Sequence, residues 1–176
     1  TIRDELRKQY LAGRESHRLV GLCWRSSHPS IGEQKSLPLA QWLPVLTVPG
    51  VTFVNLQYGD CRDELEALRQ EHGIDIVDDR QIDHFGDIDP VAAQVAAMDI
   101  VISISGTTVH LAGAVGVPTW VLLPRGLARL WYWFRRSQLC AWYPKVRLRT
   151  SQIDREWSRL INDCAADLKH WVGGPR

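Results

Sequence analysis

The stretch "SISGTTVHLAGAVGVPTWVLLP", residues 103–124, decides the fold. It holds the end of one apolar strand, a turn of small residues, a short helical segment at 107–114 and a second apolar strand at 119–123. Gly116 and Pro118 are typical of the end of a helix just before a strand begins. A strand, a helix and a second strand in this order form the unit from which parallel sheets are built. The stretch therefore predicts a parallel α/β fold.

The same alternation of strand and helix recurs along the chain. Short apolar runs are followed by segments of helical periodicity, and their nearly continuous hydrophobicity indicates strands buried on both faces. The predicted strands are 19–24, 51–57, 74–77, 100–104 and 119–123. The predicted helices are the charged segment 1–18, then 39–46, 62–71, 91–97, 107–114 and about 154–172, the last with Ser151 and Asp154 as a capping pair. The sequence predicts a three-layer, Rossmann-like α/β domain with a parallel sheet, a single domain over residues 1–176.

Composition limits the classes of function. The chain has 176 residues, of which 45% are hydrophobic and 23% charged, enough for one real core. A net charge of +1 gives no general attraction to nucleic acid or to an anionic membrane. No apolar run reaches the roughly 18 to 20 residues that cross a bilayer, and the charged N-terminal segment does not resemble a secretory signal. We expect a cytoplasmic protein with no nucleic-acid partner and no membrane span.

Two features of the chain concern its chemistry and its extent. The four cysteines, Cys23, Cys61, Cys140 and Cys164, are far apart and show neither zinc-ligand spacing nor a redox pair. We expect them to be reduced and mostly buried.

The chain starts at Thr1 without a methionine, and we expect it to be a piece of a longer protein.

The carboxyl ends of parallel strands are where such sheets bind ligands. The first predicted strand is followed by "WRSSHP", residues 24–29, and not by a GxGxxG or Walker A sequence, which disfavours ordinary NAD and ATP sites. The predicted helix at 107–114 instead begins with Gly106, Thr107 and Thr108. Free amides and the helix dipole make such a start an anion site. The alternative is an ordinary capped helix.

Further polar side chains follow the predicted strands at the same edge. His110 lies about one turn into the helix, within reach of the same anion, although a lone histidine is commonly structural. Arg25 and Lys35 lie in the long polar loop after the first strand and are predicted to converge on a diphosphate. Gln57 and Tyr58 follow the second strand, where a base or a ribose could be hydrogen-bonded or stacked. The alternatives are a solvated lysine and an ordinary polar residue at a strand end.

Several segments together resemble a known family. They are "VGLCWRSS" at 20–27, "QKSLPL" at 34–39, "PGVTFVNLQYGD" at 49–60, "TTVHLAGAVGVPTWVLLP" at 107–124 and "WYP" at 142–144. The pattern is similar to the C-terminal domain of GT-B glycosyltransferases. It resembles the glycosyltransferase domain of bacterial tetratricopeptide-repeat proteins, near the ADP-heptose:lipopolysaccharide heptosyltransferases and, more remotely, the protein O-GlcNAc transferases. The resemblance covers about residues 20–149, most of the chain.

The resemblance implies roles for particular residues. The donor diphosphate is expected on Gly106, Thr107 and Thr108, with Ser105 in the same substrate-binding turn. Lys35 matches a basic residue that faces the diphosphate, and Gln57 is expected near the nucleoside. His110 is the candidate catalytic residue, placed to stabilise the leaving group. Heptosyltransferases commonly have an acidic residue and a threonine where this chain has Ser105 and Gly106, which leaves the donor unidentified.

GT-B enzymes have two Rossmann-like domains with the active site between them, and the sequence resembles only one of them. The resemblance therefore implies a missing partner, an N-terminal glycosyltransferase domain or a tetratricopeptide-repeat domain. It also implies that no metal and no cofactor are needed beyond the nucleotide-diphosphate sugar, because helix dipoles and basic side chains stabilise the leaving diphosphate. The aromatic and basic segment 125–144 is predicted to pack on the missing partner, with a place in the donor pocket as the alternative.

The leading interpretation is the donor-binding half of a metal-independent glycosyltransferase. One alternative is a non-catalytic binding or scaffold module of a repeat protein. Another is a sugar-nucleotide epimerase-like domain, which would need catalytic carboxylates that the sequence does not place. The presence of Gly106, Thr107, Thr108, His110 and Lys35 favours retained nucleotide binding.

Overall fold

The described residues of this protein form a parallel sheet of five strands. The structure, a computed structural model, describes residues 1–126, 128–134, 138–151 and 156–175. The strands are β1 (Arg18–Cys23), β2 (Val51–Asn55), β3 (Ile100–Ile104), β4 (Thr119–Leu123) and β5 (Val146–Thr150). Their spatial order is β2-β1-β3-β4-β5, and every neighbouring pair is parallel. This order reverses direction between β1 and β3, the point at which ligands bind in open α/β sheets.

Helices cover both faces of the sheet. They are α1 (Ile2–Tyr10), α2 (Gly32–Lys35), α3 (Leu43–Leu46), α4 (Arg62–His72), α5 (Ile88–Ala96), α6 (Thr107–Val115) and α7 (Ser158–Val172), with a 3₁₀ turn at Leu39–Trp42. One apolar layer packs α3, α4 and α7 against the sheet, and another packs α1, α5 and α6 against its opposite face. The predicted three-layer Rossmann-like fold is confirmed. Within the described part of the chain, no helix is long and apolar enough to cross a membrane.

Strand β3 shows why the apolar runs form a sheet with two covered faces. All five of its residues are buried. Ile100, Ile102 and Ile104 belong to the layer with α3, α4 and α7, whereas Val101 belongs to the layer with α1, α5 and α6. Alternate side chains of a strand point to opposite faces, so a continuous apolar run has core on each side. Each such side chain contributes about 1.5 to 3 kcal/mol through burial.

Two predictions about strands are wrong. The predicted strand 74–77 is reduced to one bridge between Val54 and Val77, with Val77 N donating to Phe53 O at 2.9 Å. The run has only four residues and includes Asp75, so little of it suits a buried strand. Strand β5 was not predicted, because only Val146 and Leu148 are buried while Arg147 is exposed. Such alternation fits an edge strand and gives a weaker signal than a continuous apolar run.

The boundaries of three predicted helices also change. Helix α1 ends at Tyr10, well before residue 18. The predicted helix at 39–46 divides into the 3₁₀ turn and α3, whose Pro44 lies in the first turn, where a missing N–H does no harm. Helix α7 begins at Ser158, and its N-cap residue is Trp157, so the predicted capping pair is wrong. Ser151 instead donates to the carbonyl of Glu156, and Asp154 lies outside the described residues.

The cysteines behave as predicted. Cys23, Cys61, Cys140 and Cys164 are free thiols and all four are buried. Burial raises the pKa of Cys164 to about 12, so this thiol is not poised for reaction. They act in the core as small apolar groups.

Candidate functional site

A cavity of about 260 Å³ opens at the carboxyl edge of the sheet. Its walls come from the segments that follow β1, β2 and β3, together with α5 and α6. The lining residues are Ser27, Leu56, Tyr58, His84, Phe85, Ile88, Val91, Val95, Thr107, Thr108 and Leu111. The cavity is mostly apolar, with a few polar groups at the first turn of α6, as is common in sites for small organic ligands. It lies at the reversal point of the sheet.

Helix α6 begins at one wall of this cavity. Its N-cap residue is Gly106, in an extended conformation and with no side chain to accept from the first amides. A Cβ at Gly106 would meet no atom of the described residues within 4 Å, so the space in front of the turn is open. Thr107 is exposed, Thr108 is buried, and both line the cavity. The positive end of the helix therefore faces a space that an anion could enter.

Lys35 is buried near Cys23, at the end of β1, and does not line the cavity. Its side chain is 4% exposed at the end of the short helix α2. Burial lowers its pKa, and the nearby Cys23 only partly opposes that effect. The Cys23 thiol in turn lies beside the side chains of Thr108 and Ser103. Within the described ranges of the chain, no residue forms a hydrogen bond or an ion pair with the Lys35 ammonium group. The side chain is buried along most of its length while its nitrogen keeps contact with solvent, so the charge is available to an anionic ligand.

Arg25 has a different environment from the one predicted. It was expected to converge with Lys35 on a diphosphate, but its guanidinium group faces α4. Arg25 Nε donates to Glu64 Oε2 at 2.8 Å, and its Nη2 donates to the carbonyl of Asp60. The structure therefore uses Arg25 to tie the loop after β1 to α4.

Gln57 and Tyr58 lie at the predicted edge, but only Tyr58 lines the cavity. Gln57 is 2% exposed. Its Oε1 accepts from the amides of Trp24 and Arg25 at 3.1 and 2.9 Å, and its Nε2 donates to Tyr58 O at 3.0 Å. The side chain of Gln57 thus holds the ends of β1 and β2 together and has little capacity left for a nucleoside. The Tyr58 hydroxyl accepts from Ser27 N at 3.3 Å, which places the ring at the mouth of the cavity.

His110 and Ser105 belong to an aromatic cluster outside the cavity. The His110 ring stacks on Trp133, with centroids 5.3 Å apart, and its Nδ1 lies 3.2 Å from the Tyr143 hydroxyl. Trp133 Nε1 donates to Ser105 Oγ at 2.8 Å, so the buried Ser105 is also used within the fold. Burial lowers the pKa of His110, which leaves the ring neutral at pH 7. This imidazole is fixed mainly by packing.

The segment 125–144 divides into packed and exposed parts. Tyr132 and Trp133 pack on His110 within the domain, with centroids 5.4 and 5.3 Å from its ring. Trp131 is 78% exposed, and Phe134 and Trp142 are also exposed. The predicted basic residues Arg135 and Arg136 lie outside the described residues. The described residues of this segment line no part of the cavity, and its packing on a partner stays a prediction.

Sequence reasoning missed one complete wall of the cavity. His84 and Phe85 come from the segment before α5, and Ile88 comes from its first turn. Phe85 contacts Tyr58 edge to face, with centroids 5.9 Å apart. A polar loop follows the predicted strand 74–77, so the rule about carboxyl ends could have drawn attention to it. Only the loops after 19–24, 51–57 and 100–104 were considered.

Comparison with known proteins gives relatives of the sequence and of the fold. No protein-family model matches this chain. Protein FlbA of Caulobacter vibrioides is 38% identical over 155 residues, which is 87% of this chain. The chain spans about a quarter of the length of that curated relative, 25%.

Two solved structures share the fold. A glycosyl transferase of family 9 from Veillonella parvula aligns with a TM-score of 0.60 at 12% identity, over 97% of this chain and 51% of the other. The ADP-heptose lps heptosyltransferase II of E. coli aligns with a TM-score of 0.58 at 16% identity, over 97% of this chain and 52% of the other. The chain thus has a GT-B-type fold and corresponds to about half of such a structure.

Proposed function

We propose that this domain binds a nucleotide-diphosphate sugar and supplies the donor half of a glycosyltransferase that needs no metal ion. The observation that carries the proposal is the open start of α6 at the wall of the cavity. Lys35, whose charge interacts with the nearby Cys23, is the basic residue closest to that start along the chain of contacts. The fold it shares with glycosyltransferases supports the same class of ligand.

The diphosphate is assigned to the open start of α6. The first amides of the helix and the hydroxyl groups of Thr107 and Thr108 donate to its oxygens, and Lys35 supplies a full positive charge. A bound diphosphate would give the Lys35 ammonium group the partner that it lacks. As the sugar leaves, negative charge grows on the diphosphate, and these fixed donors stabilise that charge.

The apolar part of the cavity is assigned to the nucleoside. Tyr58 and Phe85 offer ring surfaces on one side, and Leu111 lies on α6 one turn beyond Thr107. A base that packs between such side chains gains burial and stacking energy. Because Leu111 and Thr107 lie on the same face of α6, one ligand can contact both the apolar part and the helix start.

The positive charge in this proposal comes from the protein. The chain does contain one Asp-Ile-Asp sequence at residues 87–89, which could suggest a metal site. Asp87 Oδ1, however, accepts from Asp89 N at 3.0 Å and so caps α5. Across the described residues there is no group of three or more side chains arranged to hold a metal ion.

A binding module without catalytic activity is the second candidate function. The packing of His110 favours it, because the candidate catalytic residue is stacked on Trp133 and lines no part of the cavity. The two candidates share the nucleotide site and differ in whether sugar transfer follows binding.

Titration calorimetry with ADP, GDP, UDP and CDP, with and without EDTA, tests the shared site. We expect at least one diphosphate to bind, equally well with EDTA. Lys35→Met should weaken that binding by about 1 to 3 kcal/mol, the range for a charge-assisted hydrogen bond, and should affect the monophosphate less. Lys8→Met, which removes an exposed lysine of α1, is the matched control and should change nothing. If the folded chain binds none of the four, the proposal fails.

A further inference from the structure

His84 forms part of the cavity wall, and both of its ring nitrogens face hydrogen-bond acceptors. Its Nδ1 lies 3.1 Å from the main-chain carbonyl oxygen of Gln57, which can only accept. Its Nε2 lies 2.9 Å from the side-chain oxygen of Gln94. A neutral imidazole carries one N–H and can satisfy only one of these contacts, whereas the doubly protonated ring satisfies both.

The orientation of the Gln94 amide is fixed by a relay of hydrogen bonds. Tyr10 donates its single hydroxyl proton to Asp79 Oδ2 at 2.7 Å. The Tyr10 oxygen is then an acceptor, and Gln94 Nε2 donates to it at 3.2 Å. If the amide were turned over, its oxygen would face the Tyr10 oxygen with no proton between them. Gln94 is fully buried, so water offers it no substitute partner.

We infer that His84 works as a proton-dependent latch, in which the imidazolium ring fastens the cavity wall formed by residues 79–88 to the body of the domain. The ring joins this segment to the end of β2 through Gln57 and to α5 through Gln94. Loss of its proton leaves a lone pair of nitrogen facing an oxygen, which is repulsive, so one of the two hydrogen bonds is lost and the wall is held less firmly as the pH rises.

The groups around the ring are consistent with a cation in this position. The titratable groups on the elements packed against it are Tyr10 on α1, Tyr58 after β2, Asp79, Arg80 and Asp83 on its own segment, and Asp87 and Asp89 at the start of α5. Arg80 is exposed, and its charge is paired with Asp78 at 3.1 Å. Asp79 reaches the ring only through Tyr10 and Gln94. Among the described lining residues there is no lysine or arginine to repel the charge. The surroundings are thus acidic or neutral.

The latch has a direct effect on the cavity. Phe85 directly follows His84 and is 73% exposed, so little of its own surface holds it in place. Its amide donates to Asp83 Oδ1 at 2.9 Å, a contact within the same segment. Besides His84, the wall is joined to the domain by the Tyr10–Asp79 hydrogen bond and by the contact of Phe85 with Tyr58. The protonation of His84 adds or removes one hydrogen bond next to Phe85 and so changes how firmly that ring is held. The inference concerns the ligand-free chain and does not rest on the proposed function.

NMR spectroscopy of the ligand-free chain tests the latch. At pH 6 we expect both ring nitrogens of His84 to show the chemical shift of a protonated nitrogen. At pH 8 we expect only one of them to show it. Between these values, amide exchange at Ile82 and Phe85, corrected for the intrinsic rate, should accelerate by about fivefold or more, while exchange in β3 should not change. Equal protection of the wall at both pH values would overturn the inference.

Three variants separate the latch from a purely structural role. His84→Gln should make exchange at Phe85 independent of pH. Tyr10→Phe should do the same, because it frees the Gln94 amide to turn and donate to a neutral ring. His170→Gln, which replaces an exposed histidine of α7, is the matched control and should keep the wild-type response. If Tyr10→Phe keeps that response as well, the relay does not hold the proton on His84, and the inference is wrong.

Discussion

The charge of Lys35 lowers the stability of the free protein but favours the binding of an anionic ligand. Its side chain is mostly buried, and its pKa is lowered because burial disfavours the charged form. A fold selected only for stability would place an apolar side chain at the end of α2. A charge that destabilises the free protein and gains a partner on binding is characteristic of functional sites.

Replacing this charge should therefore raise stability. We expect Lys35→Met to increase the free energy of unfolding by about 1 to 3 kcal/mol, the range for an unpaired buried polar group. The pH dependence follows from the lowered pKa of Lys35. The unfolded chain binds the proton more tightly, so wild-type stability should rise as the pH approaches 10.5, the ordinary pKa of lysine, from below.

Chemical denaturation between pH 7 and 10, on wild type and Lys35→Met, measures both effects. In Lys35→Met the free energy of unfolding should lack the part of its increase with pH that is due to Lys35. Lys8→Met again serves as the control. A variant less stable than wild type at pH 7 would mean that Lys35 has a partner within the fold.

At the scale of residues, the sequence indicates which side chains reach the sheet edge and not what they contact there. Thr107, Thr108 and Tyr58 were predicted at the edge, and all three line the cavity. Arg25 was predicted there too, but its partner Glu64 lies 39 residues away on α4. Residues that are far apart in the sequence and meet only in the folded chain show no recognisable spacing, so such pairings could not be predicted.

Helix α6 is the element that joins the cavity to the aromatic cluster. Thr107 and Leu111 line the cavity, whereas His110 packs on Trp133. Gly113 lies against the ring of Tyr143 so closely that a Cβ there would come within 2.7 Å of Tyr143 Cδ1. The absence of a side chain at Gly113 therefore sets how near the helix lies to the segment that carries Tyr143.

The substitution Gly113→Ala tests this close packing. Alanine favours a helix by about 1 kcal/mol over glycine, yet we expect the variant to be less stable by about 1 to 3 kcal/mol because of the clash. In a Tyr143→Ala background the same substitution should be stabilising, because only the helix preference remains. Thermal unfolding of wild type, the two single variants and the double variant measures these changes in stability. If the sign does not reverse, contact with Tyr143 is not what excludes a side chain at Gly113.

Elements were predicted where the apolar pattern is strong and missed where it is weak. The bounds of β3 and β4 agree with the predicted runs at 100–104 and 119–123, because both strands are buried on every residue. In β5 the exposed Arg147 interrupts the apolar pattern. The wall at 79–88 has no regular structure that periodicity could indicate, and it is held by His84 and Phe85 through single side-chain contacts.

At the scale of the whole molecule, this chain corresponds to about half of the solved glycosyltransferases that share its fold, 51% and 52% of their lengths. Sugar transfer requires an acceptor hydroxyl group, a base to take its proton and a stabilised leaving diphosphate, all held in one place. The proposed site at Thr107, Thr108 and Lys35 provides the last of these. Among the described lining residues His84 is the one base, and both of its ring nitrogens contact oxygens of the fold, those of Gln57 and Gln94.

We therefore expect the chain on its own to bind a nucleoside diphosphate and to transfer no sugar. His110 is the candidate base, but its ring is covered by Trp133, its Nδ1 contacts the Tyr143 hydroxyl, and burial lowers its pKa, so it is a weak proton acceptor. A transfer assay with radiolabelled nucleotide sugars should compare this chain with a longer protein that contains it. We expect the longer protein to form product and this chain to form none. Transfer by the isolated chain that is lost in His110→Gln would show that the complete catalytic site lies within these 176 residues.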